Sequence, residues 1–260
     1  MYVAMHGEMI LHPWRDLAAD SDAYSLFVAR SSAMGWLTES VENASGGFWG
    51  MNDAGQDTGT ASMISCEAWF QVSLTKPISA GQPLPMQPFL SCAGHVVARL
   101  GTMRLQAAQV LVPLQDLSGP ANDSSRIMDG VGMLMGDAGW FVDADPQLKS
   151  YIRVTLDGGQ NPSIRLAAPD VLQWLRRFKQ DVFSCDLSTL PDDDRVVLPG
   201  ITDELWAGPS QHRITFEGIL IEWSMDALGW LSAFLAEGFA HFGVSTPLML
   251  SVARKSMDPR

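Results

Sequence analysis

Apolar residues recur along this chain with two different periods, and the change falls near its middle. Over residues 1–145 the pattern predicts short strands broken by loops rich in Gly, Ser and Asp. Tyr24-Ser25-Leu26-Phe27-Val28-Ala29, Ala68 to Leu74 and His95 to Leu100 carry the β-branched and aromatic residues that suit a pleated, half-buried surface. Gln109-Val110-Leu111-Val112 adds a fourth run. Residues 43–60, with five glycines, and the polar residues 118–129 read as exposed loops.

Residues 146–260 alternate more cleanly. Tyr151 to Leu156 predicts a strand, and Pro169 to Phe178 a helix in which Val171, Leu172, Leu175 and Phe178 share one face, with Pro169 in its first turn. A short strand near Val182 to Asp186 and a long one from His212 to Trp223 follow. Ser224 is placed to cap a helix from Met225 to Phe242, because its hydroxyl can accept from an otherwise unsatisfied amide of the first turn. Gly243 supplies the stop, and Pro247 to Arg254 closes as a strand. The last helix is apolar on most sides, which demands cover from the first half or from a second subunit; the many strands upstream favour the first half.

These elements predict an α+β protein in which a strand-rich N-terminal half (1–145) packs on a C-terminal half (146–260) with the β-α-β-β-α-β order of a ferredoxin-like unit. A weak echo links the halves: Trp69 to Leu74 matches Tyr151 to Leu156 in residue type, and His95 precedes Gly101 as His212 precedes Gly218. A diverged duplication is one reading of the echo. Convergence of similarly buried strands is the other, and the unequal spacing of the two pairs favours it.

Composition narrows the class. With 47% hydrophobic and 18% charged residues in 260, the chain has enough apolar surface for a sizeable core and too little charge for disorder. Seventeen Lys+Arg against 29 Asp+Glu give a net charge of −12, and a surface of that sign repels nucleic acid and anionic membrane. Cys66, Cys92 and Cys185 lie far apart, without metal-binding or redox spacing. The N-terminal residues lack the pattern of a signal peptide, so the expected location is cytoplasmic.

Candidate chemistry is sparse. His6, Glu8 and His12 fall two and six residues apart, so on an extended chain they share a face and offer the ligand types of an iron or zinc site. His95 and His212, each expected to open a strand, are candidate general bases. Trp49, Trp140 and Trp206 fall in predicted loops, where an aromatic side chain anchors a partner or walls a pocket. No nucleotide or dinucleotide motif is present, so no cofactor is implied. The absence of a dense catalytic signature favours a protein that docks a partner or self-associates through its loop tryptophans and its apolar C-terminal helix. The alternative is an enzyme or small-molecule binder with a pocket between the halves, using His and carboxylate groups from distant segments.

Overall fold

The computed structural model describes residues 1–15, 22–38, 46–56, 65–79, 81–117, 124–189 and 212–255. It is mixed α+β. Among the described residues there are eight strands: β1 (Tyr2–Leu11), β2 (Trp49–Gly55), β3 (Ser65–Leu74), β4 (Gly101–Val112), β5 (Ser150–Asp157), β6 (Phe183–Thr189), β7 (Arg213–Leu220) and β8 (Leu248–Arg254). Among the described residues there are five α-helices: α1 (Ala23–Ala33), α2 (Met86–Leu100), α3 (Ser124–Asp137), α4 (Ser163–Leu175) and α5 (Met225–His241). All strands join one antiparallel sheet in the order β2-β3-β1-β4-β8-β5-β7-β6.

The halves therefore do not stack as layers. They lie side by side and share the sheet through β4 and β8, which pair from Ala107 with Ala253 to Val112 with Leu248. Each half runs strand, helix, strand, strand, helix, strand, with α3 between them. Alternate strand residues such as Val3, Val110, Val154 and Val252 face the helices in one continuous core. In a strand, successive side chains point to opposite faces, so every second residue joins that core.

The first half has four strands, as many as its sequence suggests, but two of the expected runs are helical. Tyr24 to Ala29 belongs to α1, where Asp22 caps the N-terminus by accepting from the Ser25 amide and Ala23, Phe27 and Ser31 recur at four-residue spacing on the buried side. His95 to Leu100 is the end of α2, not a strand: Phe89, Leu90, Ala93, Val96, Val97 and Leu100 form a helical stripe. Short apolar runs do not separate strand from helix by period, and here a fifteen-residue amphipathic face overrode the β preference of Val96 and Val97. The glycine-rich segment expected as a loop contains β2, and Ser124 onward is α3. The Trp69 and Tyr151 runs fall on β3 and β5, and His95 and His212 on a helix and a strand start, so the echo between them does not relate equivalent elements.

In the second half the elements fall as expected, with two adjustments. The helix begins earlier, at Ser163, which leaves Pro169 inside it, and β7 ends at Leu220. Ser224 accepts from the Ala227 amide, and Gly243 has φ +81, a left-handed conformation that favours glycine at a helix stop. The last helix, α5, is buried along almost its whole length because its own chain covers it on several sides: α2, α3 and α4 all contact it, and the Trp230 indole donates to the Leu134 carbonyl of α3 at 2.7 Å. It is thus core, not a docking surface. No helix among the described residues is long and apolar enough to cross a membrane.

Candidate functional site

A concavity with mainly apolar walls lies on the helix layer of the first half. The sheet-facing sides of α1 and α2 carry large residues, including Phe27 and Phe89, whose rings meet edge to face at 6.0 Å. Leu26, Ala29 and Ala33 of α1 with Val96 and Ala98 of α2 line a groove of about 500 Å³. That volume lies within the ordinary range for small-molecule sites.

Three polar side chains complete the lining: Arg30, His95 and Arg99. The Arg30 guanidinium donates from Nε to His95 Nδ1 at 3.3 Å, with Nη2 at 3.2 Å from the same nitrogen. Accepting on Nδ1 leaves Nε2 as the protonated nitrogen of a neutral ring, and so as a free donor direction. Arg99 stands four residues from His95, hence on the same helix face. Among the described residues no carboxylate lines the groove. Neither α1 nor α2 contains an acidic residue, in a chain with 29 Asp+Glu.

In the second half a large side chain packs between α4 and α5. Trp174 of α4 is buried against α5, with its ring 5.1 Å from Phe234 and 4.6 Å from Phe178, and it packs on Gly238, where an added Cβ would come within 3.1 Å of the indole. An open groove is therefore a property of the alanines in α1 and α2, not a necessity of helices on this sheet.

The sheet face opposite the helices holds a second constellation. Cross-strand pairing aligns Thr215, Thr155, Ser251, Gln109 and Ala4 in one row, and Glu217, Arg153, Ala253, Ala107 and His6 in the next. Thr155 and Thr215 share a hydrogen bond of 3.0 Å, and Gln109 donates to Ser251 at 3.4 Å. Glu217 binds Arg153 and Lys255, each at 2.9 Å. Burial alone would raise the Glu217 carboxyl, but hydrogen bonds from Lys255 and Arg153 outweigh it and hold it below its usual range. His6 is 3% exposed; burial pushes its imidazole pKa down, against an opposing pull from the Gln109 side chain.

The sequence candidates are scattered across these features. His6 is buried on β1, Glu8 is exposed further along, and His12 has left the strand, its Nε2 3.0 Å from the Ala98 carbonyl oxygen and its ring stacked on Trp14. The three are not brought together, and no group of three His, Cys, Asp or Glu among the described residues is placed to hold a metal. His95 lies in the groove beside two arginines, not beside a carboxylate as expected. His212 precedes β7 in the other half, its backbone paired with Gly158 and Gly159, so the two histidines do not meet. Trp49 is 0% exposed in an aromatic cluster with Phe27, Trp36 and Phe89 and is not a surface anchor. Trp140 is 73% exposed, and Trp206 lies outside the described residues.

Sequence reasoning missed Arg30 and Arg99. A signal was present: residues 23–38 and 68–115 contain no Asp or Glu at all. Comparison with protein-family models, with curated proteins and with solved structures finds no match to this chain.

Proposed function

We propose that this protein binds a small molecule in the groove between α1 and α2. The observation that carries the reading is the combination of apolar walls, a suitable volume and three clustered polar groups in one concavity. We read the two halves as repeats: both follow the order of a ferredoxin-like unit, and each places its strands second, third, first, fourth from the sheet edge to the β4–β8 seam. On that view one repeat closed its helix layer with Trp174 and the other kept its layer open. The pocket lies within one half, not between the two.

The test is occupancy. Nile red, an uncharged dye that brightens in apolar sites, is expected to respond to the native protein, and Ala29→Trp or Ala98→Trp to suppress that response while leaving the circular dichroism unchanged. An undiminished response in both variants would rule the groove out.

A second reading keeps the docking or self-association role. Trp140 and Val142, 73% and 80% exposed, lie in the 3-10 segment Ala138–Asp143 that follows α3, near Asp137, Asp143 and Asp145. Exposed aromatic and aliphatic groups among carboxylates suit a basic partner surface. Loss of a partner or of a dimer on Trp140→Ser, read by light scattering of the native complex, is the expected outcome of that role.

A further inference from the structure

We infer that the molecule seated between α1 and α2 is a small carboxylic acid with an apolar body, its carboxylate held by Arg30 and Arg99 around His95. The inference rests on the groove being the ligand seat and adds the ligand's chemistry. Three observations carry it.

The first is sign. The chain has a net charge of −12, yet among the described residues the groove is lined by two guanidiniums and an imidazole with no carboxylate, on helices that contain none. A cation in the last turn of a helix is ordinary, since it complements the negative end of the dipole, and Arg30 and Arg99 each occupy such a turn. That accounts for each arginine alone. It does not account for both lining one apolar groove, where neither has an ion-pair partner among the described residues.

The second is geometry. Arg30 is tied to His95 Nδ1 through Nε and Nη2, which orients the guanidinium and leaves its remaining N–H groups available. A carboxylate beside His95 meets donors from Arg30, from Arg99 one turn along α2 and from His95 Nε2. Guanidinium and carboxylate match as paired planar donors and acceptors. The rim lies in the C-terminal turn of α2, whose partial negative charge favours a singly charged carboxylate over a phosphate.

The third is shape. Leu26, Ala29, Ala33, Val96 and Ala98 offer only aliphatic contact, with no hydroxyl or amide to satisfy a sugar or a peptide backbone. An aliphatic or aromatic body fits such walls, because a polar one would lose its hydrogen bonds to water without replacement.

The experiment is calorimetric titration of the full chain with decanoate, decanol and decyltrimethylammonium below their micelle concentrations, with inorganic phosphate as a fourth probe. Decanoate is expected to bind best. Arg30→Gln should weaken decanoate about tenfold and Arg99→Gln about threefold, as for charge-assisted contacts near a surface, with decanol unaffected by either. Raised salt should weaken decanoate alone. The His95 ring resonances should move on decanoate addition in native protein and less in Arg30→Gln. If decanol binds as tightly as decanoate and neither arginine matters, the carboxylate inference falls while the groove stands as an apolar seat. Phosphate binding as tightly as decanoate, with the same dependence on the arginines, would overturn the carboxylate assignment too. If no probe binds and Nile red is also indifferent to Ala29→Trp, the groove itself is not the seat.

Discussion

Single residues of this protein show how burial sets chemistry. Burial lowers the His6 pKa, so the folded protein keeps a neutral imidazole where the unfolded chain, with the ordinary value of 6.5, takes up a proton. The unfolded state thus binds more protons below that value. Stability associated with His6 is complete above about pH 6.5 and drains away as pH falls toward the lowered folded value. His6→Leu should flatten the dependence of melting temperature on pH in that window, and an unchanged slope would show that other groups dominate. Glu217 acts in a lower window: its depressed pKa stabilises the fold above the ordinary 4.5 and is lost as pH drops through the folded value. Cys92 illustrates the opposite case for an acid. Buried beneath α1, its thiol is pushed up to about 11, so almost no thiolate exists at neutral pH. Iodoacetamide should spare Cys92 in the native protein and modify it once the chain is unfolded, as mass spectrometry of digests would show.

Among elements, helix contacts depend on close approach. Gly229 of α5 faces α2 so closely that an added Cβ would lie 2.6 Å from the Gln87 Cα and 3.0 Å from the Met86 carbonyl oxygen. Backbone atoms do not yield as a flexible side chain does. Gly229→Ala should therefore destabilise by about 1–3 kcal/mol despite roughly 1 kcal/mol of improved helix propensity, measured by urea unfolding. The same elements show where sequence reasoning reached and where it stopped. In the second half α5 was legible from its cap and its stop, Ser224 and Gly243, whose signals are local and so survive without knowledge of the fold. In the first half α2 starts after Pro85 without a side-chain cap, and the Asp22 cap of α1 precedes a short apolar run, so period prevailed and residues 24–29 and 95–100 read as strands. The groove was less legible still: His95 was singled out, but the arginines that define its surroundings come from two helices whose adjacency no spacing reveals.

At the scale of the whole molecule, the halves are joined in two layers at once, through β4 with β8 in the sheet and α2 with α5 above it. One core cluster spans both. Unfolding should accordingly be a single transition, with tryptophan fluorescence and far-ultraviolet circular dichroism coincident in urea; separated midpoints would indicate that the halves melt independently. The apolar and charged fractions, the strand alternation and the capping residues already determined in the sequence that this is an α+β fold with a well-filled core, because burial and local backbone chemistry act on residues near one another in the chain. Only the tertiary structure decided that the two halves share one sheet, that α5 is enclosed by its own chain and that Arg30, His95 and Arg99 face one apolar groove. Those outcomes depend on which surfaces meet across long separations, and residue order does not encode such meetings in any local pattern.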